Sequence, residues 1–161
     1  MADRTHLSLT VFDCPAAQAQ AVLDLIEQKG LHLEFDEPGQ PSDDQLGLGM
    51  GYMDHEVTCG SADEIAAHLQ QLAPDASWEV HEDPAHEWLG SLYRFTPSLG
   101  LFASDCGPDG QALFTPSAIQ PMAYLPNTLD EPGLARALGE THREALEELA
   151  KQNADVLVDP E

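Results

Sequence analysis

Two stretches of this chain repeat one pattern, and that pattern narrows the folds open to it. In the first, Leu7, Leu9 and Val11 alternate with Ser8, Thr10 and Phe12, the period of a strand. Cys14-Pro15 then opens a helix in which Ala19, Val22, Leu23 and Ile26 recur at helical spacing, with Gly30 suited to its end. Leu31, Leu33 and Phe35 resume the alternation. The second stretch begins with a short strand over 54–59. Ser61-Ala62-Asp63-Glu64 fits a capping box, with Ser61 as cap and Glu64 reaching back. Ile65, Leu69 and Leu72 form that helix's apolar stripe, Pro74-Asp75 ends it, and Trp78 and Val80 alternate with Glu79 and His81. Both units close on apolar-Glu-apolar-x-Glu and then a proline. Cys14 and Pro38 are 24 residues apart, Cys59 and Pro84 25.

Tandem βαβ units of this kind are the signature of a split sheet. The expected fold class is α+β: a ferredoxin-like βαββαβ core (units 6–38 and 54–84), a β-meander over 86–115 and an amphipathic C-terminal helix. The meander pairs 88–95 with 100–103, turns at Gly107-Pro108-Asp109-Gly110 and adds a strand at 112–114. A short helix at 116–125 is limited by Pro121. These elements make one domain, 1–125, within a chain of 161 residues. Beyond it, 126–132 reads as a linker and 133–152 as a helix with Leu134, Leu138, Ala145 and Leu149 on one face. The tail from Asp155 is expected to fray. Residues 36–51 have no readable period. The predicted core is Leu9, Val11, Val22, Ile26, Leu33, Phe35, Val57, Ile65, Leu69, Trp78, Val80 and Leu92, extended beneath the meander by Trp88, Tyr93, Phe95 and Phe102.

Charge says more about partners than about fold. Asp and Glu number 29 against 6 Lys and Arg, a formal net charge of −23. Gripping nucleic-acid phosphates needs clustered cations that this chain lacks, and anionic membrane surfaces are disfavoured for the same reason. No run approaches the roughly 18 apolar residues of a membrane span, and the N-terminus reads as a strand, not a signal peptide. Cys14, Cys59 and Cys106 contain no C-x-x-C pair, which argues against a disulfide framework and for a reducing, cytoplasmic setting.

Chemistry-bearing motifs are weak. Cys14 and Cys59 each sit where a strand meets a helix, a place that activates thiols. In the expected fold they lie at opposite ends of the sheet, and small buried side chains are the favoured reading. His55-x₃-Cys59 and His81-x₄-His86 do not match zinc spacings, so neither metal nor cofactor is expected. Gly47-Leu48-Gly49-Met50-Gly51 lacks the Lys and the following helix of a phosphate loop.

The acids are unevenly placed. Between Lys29 and Arg94 lie 64 residues with fourteen acids and no Lys or Arg. From this stretch the expected partner-binding residues are Glu34, Asp36, Glu37, Asp54, Glu56, Glu79, Glu82, Asp83 and Glu87. Residues i and i+2 on a strand sit about 6.6–6.8 Å apart on one face, close to the spacing of successive phosphates along one DNA strand, about 7 Å. Glu34/Asp36, and Glu82 with Glu79, are the candidate rows. Size, pI and the segment Pro74-Asp75-Ala76-Ser77-Trp78-Glu79-Val80-His81-Glu82 resemble the ArdA-type antirestriction proteins, small acidic DNA mimics that occupy the DNA groove of restriction enzymes. The likeness spans only those nine residues and carries over no residue role.

The expectation is a non-enzymatic acidic protein that binds a basic protein surface. A DNA-mimic inhibitor of a nucleic-acid-binding enzyme is its narrowest form. Three readings compete: a small ligand-binding module or enzyme using Cys59, His81 and His86; a protein whose acidity suits high salt; and a homodimer formed through the C-terminal helix.

Overall fold

A computed structural model describes residues 3–34, 38–124 and 131–161, leaving aside the side chains of 122–124 and 131–132. The elements run β1 (Arg4–Asp13), α1 (Ala16–Gln28), β2 (His32–Leu33), β3 (Leu46–Gly47), β4 (Gly51–Thr58), α2 (Ser61–Leu72), β5 (Ser77–Glu82), β6 (Gly90–Thr96), β7 (Gly100–Cys106), β8 (Ala112–Leu113), α3 (Pro116–Tyr124), α4 (Glu131–Ala137), α5 (Glu140–Gln152) and β9 (Leu157–Val158). The architecture is α+β. Seven strands form one sheet in the order β2-β4-β1-β5-β6-β7-β8, antiparallel at each junction. Helix α1 carries the chain from β1 past β4 to β2, and α2 carries it from β4 past β1 to β5.

The alternation in the sequence decides which side chains meet. Leu7, Leu9 and Val11 of β1 and Trp78 and Val80 of β5 are fully buried against Val22 and Ile26 of α1 and Ile65 and Leu69 of α2. Trp78 stacks on Phe95, with 5.5 Å between ring centres. Each large apolar side chain buried this way stabilises the fold by about 1.5–3 kcal/mol.

The other sheet face is covered too, by the C-terminal segment. Leu92, Phe102 and Cys106 form a second small core there. Arg94 donates to the Gly139 carbonyl (3.2 Å), a His142 ring nitrogen lies 3.1 Å from the Gly100 carbonyl, and Asn153 Nδ2 donates to the Phe12 carbonyl (2.8 Å). Helix α5 thus crosses from β7 to β1, burying His142 and Leu146.

Several expectations change. The continuous helix over 133–152 is two helices, because Gly139 adopts φ 80° between them. A Cβ at Gly139 would stand 2.5 Å from the Phe102 ring, so only glycine lets α5 start this close to the sheet. The tail is not frayed: β9 pairs with β3, and Glu161 N donates to the Ala16 carbonyl. That pairing also orders part of the stretch without a readable period, where Leu46 and Leu48 are buried. Helix α5 packs on the sheet through His142 and Leu146, whereas Ala145 and Leu149 of the expected apolar face are half-buried and Leu134 is 41% exposed. Trp88 is 59% exposed rather than in the core. Phe35 and residues 126–130 of the expected linker 126–132 lie outside the described residues, while Glu131 and Pro132 begin α4.

Candidate partner-binding surface

The N-terminal end of β1 lies between the C-terminal ends of β4 and β5. On the β4 side, Thr5 pairs with Val57 and Leu7 with Asp54, so His55 and Glu56 together oppose His6 in a β-bulge. Asp54 Oδ1 accepts the Glu56 N–H (3.1 Å) and Arg4 donates to the Glu56 carbonyl (2.8 Å), while the Glu56 side chain is exposed. On the β5 side, Asp83 N donates to the His6 carbonyl and Thr5 Oγ1 to the Asp83 carbonyl, carrying the pairing one residue beyond the strand. The Asp83 carboxylate lies 3.3 Å from His81 Nε2 and 3.7 Å from His6 Nδ1. The His6 and His55 rings are 5.0 Å apart.

From Asp83 the chain forms a tight projecting turn. Ala85 and Trp88 exchange both backbone hydrogen bonds (3.0 and 2.8 Å) around a two-residue loop, His86-Glu87, in which His86 takes φ 53°. Gly90 then re-enters the sheet where a Cβ would stand 2.6 Å from the Glu82 carbonyl. Trp88 Nε1 donates to Asp3 Oδ2 at 3.0 Å. Asp3, Glu56, Asp83 and Glu87 therefore share one end of the sheet, where Asp3 touches Trp88. The local field is negative: Cys59 is pushed up by burial, then by Glu82 and Asp3. Cys106 is raised to about 12 by burial, then by Asp83, Asp105, Glu79 and Glu82.

The nine acids expected to bind a partner do not form one surface. Glu56, Asp83 and Glu87 share this end. Glu34 follows β2 at the opposite end of the edge strand, because Leu33 pairs with Tyr52; Asp36 and Glu37 lie outside the described residues. Asp54 is half-buried and holds the bulge. Glu79 is ion-paired with the buried Arg94 (2.7 Å). Glu82 is the clear correction. It is 3% exposed, and its two oxygens accept the Gly60 N–H (2.7 Å) and the Ala62 N–H (2.8 Å). Those amides belong to the first turn of α2, whose cap is Gly60, with no side-chain bond of its own. Ser61 instead donates to the Thr58 carbonyl, and Glu64 pairs with Lys29. A carboxylate from β5 thus does the work assigned to the capping box, and the Glu79/Glu82 row does not exist as a surface.

The sequence reading does not single out Asp3, and it places Trp88 in the core. One signal was available: Trp88 and Leu89 are adjacent, and neighbouring residues in extended chain point to opposite faces, so both cannot enter one core.

The groups behind an enzymatic reading do not converge. Cys14 and Cys106 are buried and raised to about 11 and about 12, with burial the main cause, so neither thiol is activated. His86 is exposed in the turn, while His81 is largely buried against Asp83. Among the described residues no three His, Cys, Asp or Glu side chains are placed to hold a metal ion, and no helix is long and apolar enough to cross a membrane. A cleft of about 790 Å³ between β7 and α4 is lined by Phe102, Phe114, Arg136 and His142, and includes none of Cys59, His81 or His86.

Residues 26–159 match the family model described as a protein of unknown function, DUF3145. No curated protein and no solved structure matches the chain.

Proposed function

We propose that this chain, which belongs to the DUF3145 family, is a non-enzymatic acidic interaction protein that binds a basic protein surface. The observation that carries the reading is how its few cations are used. Arg94 is buried between Glu79 and the Gly139 carbonyl, Arg136 donates to the Leu99 carbonyl and Arg4 to the Glu56 carbonyl. Lys29 pairs with Glu64, and Arg143 with Glu140 and Glu147. Four of the six cations thus tie one segment to another, Arg143 pairs within α5 and Lys151 is exposed, while most acids face solvent. Such a surface raises the local concentration of cationic partners and repels nucleic acid. The end of the sheet carrying Asp3, Glu56, Asp83 and Glu87 is the proposed contact region.

The order of β2, β4, β1 and β5, with two crossover helices on one face, supports a ferredoxin-like core as the narrower fold reading. DNA mimicry, the narrower functional reading, has less support, because the strand-spaced rows are broken at Glu79 and Glu82.

The test is titration of a labelled Lys/Arg-rich peptide of about a dozen residues into the protein at increasing salt. Binding should be measurable at low ionic strength and fall steeply as salt screens it. Absence of binding at low salt would overturn the reading.

A further inference from the structure

We infer that Trp88 is the anchor of the proposed acidic surface, and that its occupant is an arginine-bearing segment whose guanidinium stacks on the Trp88 ring. This inference rests on the proposed function and names its contact. Among the described residues Trp88 and its neighbour Leu89 are the most exposed large hydrophobics, each 59% accessible, against 46% for the next, Leu113. Exposed Trp is costly, and a Trp at the centre of a polar rim is the usual form of a binding hot spot.

The ring is held in place before any partner arrives. Its Nε1–H is bonded to Asp3 Oδ2 (3.0 Å), its backbone exchanges two hydrogen bonds with Ala85, and Gly90 locks the chain into the sheet two residues later. A preorganised aromatic loses little entropy on binding. Charge selects the occupant. Asp3 touches the ring, Glu87 precedes it, and Asp83 starts the same turn. An apolar partner would have to desolvate these carboxylates without compensation, and an anionic one would be repelled. A guanidinium satisfies both features, because it stacks on an aromatic face and forks to a carboxylate at its edge. Lysine forms the ion pair but stacks less well, so the surface should distinguish the two.

The experiment compares two peptides of equal length and charge, one with only arginine and one with only lysine, binding to the wild-type protein, Trp88→Ala and Trp88→Phe. The arginine peptide should bind the wild type more tightly. Trp88→Ala should weaken it by about three- to thirtyfold and the lysine peptide by less, and Trp88→Phe should retain most of the difference. The urea midpoint of Trp88→Ala should match the wild type, since the side chain is exposed. If both peptides bind the wild type but Trp88→Ala binds them equally well, the anchor is refuted and the acidic-surface function survives. If neither binds at low salt, the function itself fails.

Discussion

Replacing Glu82 by alanine should be among the most damaging single changes in the molecule, although the residue is an acid in a very acidic protein. Its carboxylate accepts two first-turn amides of α2 at 2.7 and 2.8 Å and is 3% exposed. Hydrogen bonds to a charged acceptor contribute about 1.5–3 kcal/mol each, and buried donors left without a partner keep their full desolvation cost. Alanine removes both acceptors, so a loss of about 3–5 kcal/mol is expected. Glutamine keeps one acceptor oxygen but sets an NH₂ against an N–H, and should cost about 2 kcal/mol. At a urea m-value of about 2 kcal/mol/M, the midpoint should fall by about 1.5–2.5 M for Glu82→Ala and about 1 M for Glu82→Gln. Glu64→Ala, at the position that a capping box would use, should leave it nearly unchanged. Equilibrium urea unfolding followed by far-UV circular dichroism reads all three. If Glu82→Ala unfolds within about 0.3 M of the wild type, or if Glu64→Ala proves the more damaging, the cap is not where the geometry puts it.

Other outcomes follow from the same structure. Ile26→Ala and Leu69→Ala, 6% and 0% exposed, should each lose about 2–5 kcal/mol by urea unfolding. Gly139→Ala should lose more than about 2 kcal/mol, because it demands φ 80° of a non-glycine residue and drives a Cβ to 2.5 Å from Phe102; an unchanged melting temperature would contradict this. His142 is held below its ordinary 6.5, first by burial and then by Arg136 and Arg94, against the opposing Gly100 carbonyl. The unfolded chain therefore takes up this proton first as pH falls. The stability contributed by neutral His142 is complete above about 6.5 and is lost below it, toward the lowered folded value. Between pH 7.5 and 5.5 the urea midpoint should drop further for wild type than for His142→Gln.

Much of the fold was legible because strand and helix periods differ. Leu7, Leu9 and Val11, then Ile65 and Leu69, declared the faces that pack together. The C-terminal region was harder. Gly139 breaks one apolar stripe into two helices, and nothing local in Leu157-Val158 announces a partner at Leu46-Gly47, more than a hundred residues earlier. Acidity does not imply exposure at Glu82 and Glu79. Glu82 continues the buried face of Trp78 and Val80 at i+2 and i+4, so its position was readable from the alternation. Its task was not, because the amides it caps arrive through tertiary structure. Glu79 was ambiguous for a related reason: its cation, Arg94, lies across a hairpin on β6.

The central claim is that acids at one end of the sheet, not net charge alone, bind a basic partner. The most direct measurement compares two triple charge reversals in their affinity for the same arginine peptide at low salt. One is Asp3→Lys, Glu56→Lys and Glu87→Lys at the Trp88 end; the other is Glu144→Lys, Glu147→Lys and Glu148→Lys on α5, which changes net charge equally. The account predicts that the first abolishes binding and the second weakens it only modestly. Equal loss from both would contradict it, and would reduce the surface to unspecific charge.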